Sequence, residues 1–364
     1  MDRDHRSGLA TNPGDGRNVN PALAVLEGEG AQQVVPADRG AAGGTAPFQV
    51  WPGPPSRDEA DVTYYERPVI KQPTWIWSVP AYFYVGGAAG AAAVLAAASQ
   101  AIDGRGLQGL IRRSRWLAAL GAAVGTGFLV HDLGRPRRFF NMLRVFRPSS
   151  PMNLGSWVLT SFAPMAAGSA VLAGAEGLPG LVGNVAGSAA GVTGLPLSGY
   201  TAVLISNTAV PVWQGTRRST PPLFVASAVA AAASLLQMMN LNEREHRIVR
   251  RFGLAGAVAE LASSFAMERE AGRVERVARP LHEGRSGLLL KAAKAFTAGS
   301  LLLTALPGSS RPKRVAAGVL GTAGAIAVKF GVFEAGKASA IDPRATFHQQ
   351  RAGYGATEVS ASAG

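Results

Sequence analysis

Runs of about twenty residues with almost no charge recur through this chain, separated by short stretches rich in arginine. A helix rises roughly 1.5 Å per residue, so a run of about twenty apolar residues matches the hydrocarbon thickness of a bilayer. Eight such runs cover about 80–101, 115–131, 155–175, 196–213, 221–241, 247–267, 286–306 and 313–333. They predict an all-α integral membrane protein of about eight transmembrane helices. Residues 1–60, rich in Gly, Pro, Asp, Ala and Arg without periodicity, are expected to be a disordered N-terminal tail. Residues 61–78 carry Tyr64, Tyr65, Trp75 and Trp77 between prolines and charges, as an interfacial segment does. The membrane domain is placed at 79–335 and a polar tail at 336–364.

The charge balance supports this reading. The chain is 47% hydrophobic and 16% charged, with a net charge of +13. Its arginines sit between apolar runs rather than on a soluble basic face, which excludes nucleic acid as the partner and points to membrane topology. Eight spans put both termini on one side. That side carries Arg67, Lys71, Arg217, Arg218, Lys337, Arg344 and the arginines of 135–147 and 269–285. The opposite side has a shorter list, which favours cytoplasmic termini.

The chain has no cysteine, which excludes disulfides, thiolate-bound iron–sulfur clusters and cysteine zinc sites. Of the five histidines (His5, His131, His246, His282 and His348), only His131 borders a span among apolar neighbours. A bis-histidine haem is therefore not expected. No redox metal and no catalytic group of its own is assigned to this chain.

The segment HDLGRPRRFFNMLRVFRPSSPMNLGSW, residues 131–157, joins the second and third runs. Asp132 and Arg135 stand three apart, able to pair on one helical face, which leaves His131 to exchange protons near neutral pH. Phe139, Met142, Leu143 and Phe146 space one apolar stripe over 137–146. A short interfacial helix is predicted there, with Arg137, Arg138, Arg144 and Arg147 free to meet an acidic partner.

Polar groups inside a span cost about 2.5–3.5 kcal/mol each and call for a reason. Glu260 lies in the middle of the sixth run, within GLAGAVAELASSFAM (253–267), a window with no lysine or arginine. A carboxyl so placed is neutral or lines a proton path. The fourth run carries Tyr200, Ser206, Asn207 and Thr208, and Pro211 predicts a kink. Gly86, Gly87 and Gly90 expose backbone to another helix or a flat ligand.

Three ordered blocks carry a family resemblance: YYERPVIKQPTWIWSVPAYFYVGGAAG (64–90), the 131–157 segment, and LSGYTAVLISNTAVPVW (197–213). They resemble the NrfD/PsrC family, the membrane subunits of polysulfide-reductase-like and related molybdoenzyme complexes. The tail ASAIDPRATFHQQR (338–351) is similar to an actinobacterial-type branch. The resemblance covers roughly 61–350. It implies an eight-helix bundle with a menaquinone or ubiquinone pocket near one face, no haem and no iron–sulfur cluster of its own. It also implies a ferredoxin-like iron–sulfur partner over that pocket, relaying electrons to a molybdopterin subunit. Some members bind quinone through a histidine and an asparagine at the first span, where this chain has Tyr82 and Val79. A tyrosine still donates to a carbonyl, though it does not titrate near neutral pH. Tyr82, His131, Asp132, Arg135, Tyr200 and Asn207 are thus expected at the quinone, with His131, Asp132 and Glu260 moving protons. The rival readings are an ion- or proton-translocating subunit or transporter, and a passive membrane anchor.

Overall fold

The computed structural model describes residues 68–133, 141–308 and 310–351, together with the backbone of 18–20 and 25–27. Residues 1–60 form a unit by themselves. In it Asn18–Asn20 (β1) pairs antiparallel with Val25–Glu27 (β2), Asn18 opposite Glu27. The rest of the expected tail, Tyr64 and Tyr65, and the C-terminal 352–364 lie outside the described residues.

The second unit is helical. Its elements are α1 Ser78–Asp103, α2 Gln108–Leu133, α3 Pro151–Val171, α4 Gly177–Ser206, α5 Pro211–Gly215 and α6 Thr220–Gln237. After these come α7 Glu243–Ala271, α8 Glu275–His282, α9 Gly284–Ala305, α10 Arg311–Ala340 and α11 Pro343–Arg351. Six of the helices are long and apolar enough to cross a membrane: α1, α2, α4, α6, α9 and α10. The long helices α3 and α7 complete the set of eight. Prolines mark the starts. Pro80, Pro151, Pro211, Pro221 and Pro312 sit in first turns, where the missing N–H has no partner to lose.

The eight long helices pack as two rings of four. Each of α1, α2, α3 and α4 touches its neighbour, and α4 closes back onto α1. The second ring runs α6, α7, α9, α10 and back to α6. Helix α6 lies against α1 and α4, and α10 against α1, which joins the rings. Small residues make that packing close. A Cβ on Gly90 would meet the Gly194 carbonyl oxygen at 2.6 Å, and one on Gly87 would meet Ala228 at 3.2 Å. The glycine stretch of α1 therefore admits helices α4 and α6.

Polar bonds tie the connections together at two opposite ends. At one end Trp75 stacks on Trp213 with ring centres 6.1 Å apart, Val212 N donates to Ser339 Oγ, and Arg276 pairs with Asp342 at 2.9 Å. Ser219 bonds Glu270 at that end too. At the other end Arg244 pairs with Asp103 at 2.7 Å, and Leu110 N donates to buried Glu245 at 2.6 Å. Glu245 also closes a capping box with Asn242 that starts α7.

Four local expectations are corrected. The fourth long helix begins at Gly177, not near 196, so the glycine-rich 177–195 is its first half. Glycine's poor helix propensity is outweighed there by backbone approach to α1. Pro211 does not kink this helix; α4 ends at Ser206 and Pro211 opens the separate α5. In the predicted 137–146 helix, 137–140 lie outside the described residues, and after Asn141 the chain turns rather than continuing as helix. The last long helix also runs on to Ala340, and α11 occupies much of the expected polar tail.

Candidate functional site

A cavity of about 100 Å³ opens at the end of the first ring where α1, α2, α3 and α4 meet the segment before α1 and the connection after α2. Its walls come from the segment before α1 (Trp75), from α1 (Val79, Tyr82, Phe83), from the end of α2 (Leu129, Asp132) and from α4 (Tyr200, Leu204). Met142, Met152 and Ser156 close the side toward α3. The lining is mostly apolar and aromatic with a few polar groups, the usual make-up of a cofactor pocket. An aromatic ring needs an apolar cavity of about 150 Å³, so this space accepts most of one ring while the rest reaches toward its mouth.

The polar centre is a tyrosine pair. Tyr82 on α1 and Tyr200 on α4 bond hydroxyl to hydroxyl, their rings edge to face 6.3 Å apart. Glycines on three helices make room for these rings. A Cβ on Gly155 of α3 would collide with the Tyr200 ring, and Cβ atoms on Gly86 and Gly125 would stand 3.0 and 3.1 Å from Tyr82. One hydroxyl of such a pair donates to the other, and the acceptor keeps its own proton. Since both side chains line the cavity, one O–H remains to bond an acceptor there.

Asp132 borders the same cavity, and its Oδ1 accepts from Ile76 N at 3.3 Å. That bond fastens the segment before α1 over the end of α2. His131 is next in sequence but exposed, its ring 5.7 Å from Trp77. It stands at the mouth, not in the wall. Asn207 does not line the cavity; it is exposed at the end of α4, and its Nδ2 donates to Val203 O. Arg135, Arg137 and Arg138 lie outside the described residues.

Arg144 and Arg147 are exposed on a loop held by Asn153. Asn153 Oδ1 accepts from Arg147 N at 2.6 Å, and Nδ2 donates to Met142 O and Val145 O at 2.8 and 2.9 Å. Phe146 packs edge-on to Trp157. Sequence reasoning missed Asn153 and also Trp75, Met142 and Met152. A polar residue two positions after a helix-opening proline was the available signal for Asn153.

Glu260 belongs to the other ring. It is 1% exposed on α7, and Thr297 of α9 donates to its Oε1 at 2.7 Å. Oε2 makes no bond of normal geometry, and neither does the nearby Ser227 hydroxyl. The sequence window showed no cation, but Lys329 arrives from α10. It is 1% exposed and in electrostatic contact with Glu260. Its Nζ donates to Phe224 O at 3.1 Å and lies 3.6 Å from the centre of the Phe224 ring. The reading of Glu260 as a carboxyl without a charged partner is therefore corrected. A partner 69 positions away cannot be seen from one helix's own window.

Among the described residues no three His, Cys, Asp or Glu side chains gather as metal ligands. No curated protein matches the chain in sequence. Residues 69–252, half of the chain, match the family model described as polysulphide reductase, NrfD. That stretch holds the first ring, the tyrosine cavity and the start of the second ring. By that match, and by its apolar helices, this multi-pass membrane protein belongs to the NrfD family.

Proposed function

We propose that the chain is the quinone- or quinol-reactive membrane subunit of a multi-subunit oxidoreductase of the polysulfide-reductase or formate-dehydrogenase type. The observation that carries this is the cavity where Tyr82, Tyr200 and Asp132 converge beneath an arginine-bearing loop. A menaquinone or ubiquinone bound there would supply the two-electron chemistry that the side chains lack. The chain's own residues fit that ring: Trp75 and Phe83 offer apolar faces, and the tyrosine pair has one proton to place on a carbonyl oxygen. Asp132 takes or returns a proton at the same wall, and exposed His131 exchanges it with water at the mouth. Arg135, three positions after Asp132 in sequence, is proposed to act with that carboxylate at the quinone. Arg137, Arg138, Arg144 and Arg147 form the docking ground for an iron–sulfur subunit, which links the quinone to a molybdopterin partner. The termini face the cytoplasm of a bacterial plasma membrane, and the partner docks on that side.

The test is turnover of the assembled complex with a short-chain quinone. Tyr82→Phe, Tyr200→Phe and Asp132→Asn variants should still co-purify with the partner subunits. Each should lose quinone-dependent turnover by roughly a hundredfold, the usual weight of a positioned proton donor. Turnover near wild type in all three assembled variants would leave only a passive anchor.

A second reading, ion or proton translocation, is favoured by the Glu260–Lys329 group in the other ring. Buried ionisable side chains in a membrane commonly mark ion paths. In liposomes holding the complex, Glu260→Gln should abolish acidification or alkalinisation of the lumen while leaving quinone turnover in place. Unchanged proton movement sinks this second reading.

A further inference from the structure

The turns at the end of the first ring opposite the tyrosine cavity enclose a larger space, about 720 Å³, that no part of the quinone reading uses. Four arginines line it: Arg105, Arg112, Arg113 and Arg115. No acidic residue is among its lining residues. Arg115 is the deepest of the four. It is 4% exposed, on α2, and a Cβ on Gly187 of α4 would meet its guanidinium at 2.7 Å, so glycine makes its room.

Its hydrogen bonds all go to neutral groups. Nη2 donates to Gln100 Oε1 at 2.5 Å and to Asn184 Oδ1 at 2.9 Å, and Nη1 reaches Ser169 O at 3.4 Å. Nε is buried without a partner. Among the described residues no carboxylate stands within ion-pair distance of Arg115. Arg113 has only Glu245, 3.9 Å away, and that carboxylate already accepts from Leu110 N. A buried cation bonded only to dipoles is costly unless an anion joins it.

We infer that this cavity binds the phosphate of an anionic membrane lipid, with Arg115 as its deep ligand. The guanidinium fork matches phosphate oxygens, and basic pockets between membrane helices receive acidic headgroups. The rim argues for a lipid over a free ion. Val171, 71% exposed, precedes Leu172 of the cavity wall, Ile102, 79% exposed, lies two residues from both Gln100 and Gly104 of that wall, and Leu178 and Leu181 also stand exposed on α4. Acyl chains would cover these side chains while the headgroup enters between the turns.

The experiment uses the full chain, purified in detergent and stripped of lipid. Phosphatidylglycerol, phosphatidylcholine and inorganic phosphate are titrated in turn, followed by native mass spectrometry and by the melting temperature. Phosphatidylglycerol should give a retained adduct and a rise in melting temperature, with phosphatidylcholine clearly weaker. Arg112→Gln at the rim should weaken phosphatidylglycerol by about fivefold. Arg115→Gln should remove the lipid-dependent rise without lowering the melting temperature of lipid-free protein. Equal effects of the two lipids would overturn the proposal, as would a rise produced equally by inorganic phosphate. It would also fail if Arg112→Gln left the adduct intact, a readout that stands even where Arg115→Gln does not fold.

Discussion

Tyr200 shows how a single side chain is positioned by what its neighbours lack. Its ring occupies the space where a Cβ of Gly155 would stand, and its hydroxyl meets Tyr82 across two helices. Gly155→Ala should therefore push the ring aside and break the hydroxyl pair. Overpacking of this kind costs about 1–3 kcal/mol, so the variant should melt earlier than wild type. It should also lose affinity for a quinone analogue. Adding Tyr200→Phe to Gly155→Ala should then lower affinity no further, because the hydroxyl is already out of place. A full additional loss in the double variant would show that the ring had not moved. At this scale Tyr200 stood out because a hydroxyl in an apolar run needs a partner, whereas Tyr82 stood out only by its aligned position in the family resemblance, and their bond to each other was not foreseen. Gly155 was not, since nothing in its own stretch names the ring it must avoid. Asn207 was misleading for a similar reason. It looked like a polar group inside a span, but the helix ends at Ser206 and its amide bonds Val203 O.

Elements were easier to anticipate than their ends. Long apolar runs announced the helices, because length and hydropathy act within one segment. The start of α4 was hidden, since glycine disfavours helix in isolation and becomes useful only when α1 lies against it. The connection before α3 depends on side-chain bonds that no periodicity reveals. Asn153 there holds three backbone groups, while Ser150 Oγ accepts from Asn153 N at 3.4 Å to cap the helix. Asn153→Ala should free Arg147 N and the carbonyls of Met142 and Val145 together. With each bond worth about 1 kcal/mol, the loop should loosen locally while the bundle stays folded. Limited proteolysis after Arg144 or Arg147 reads this directly: cleavage should speed up several-fold, with the melting temperature little changed. Cleavage at the wild-type rate would mean that the loop is held by the Phe146–Trp157 contact instead.

Across the whole molecule, chemistry divides between the two rings. The first gathers the tyrosines and Asp132, the second isolates Glu260 with Lys329, and α1 and α6 carry the contact between them. This division follows from topology, which brings α7 and α10 together only after the chain has passed through two more helices. If Glu260 and Lys329 act as one neutral unit, removing either alone strands the other in an apolar region. Glu260→Leu and Lys329→Met should each cost about 3–5 kcal/mol, as broken buried pairs do, whereas the double replacement should recover most of that loss. Two features sharpen the expectation. Thr297 can turn its hydroxyl elsewhere once the carboxyl is gone, and the Phe224 ring that faces the ammonium packs equally well on a methionine. The melting temperatures of the three variants in one detergent decide the matter. A double variant that melts lower than either single variant, by the sum of their losses, would mean that the two side chains are stabilised separately. Recovery in the double variant would instead make the pair a single electrostatic unit, and its members would have to be tested together in any assay of proton movement.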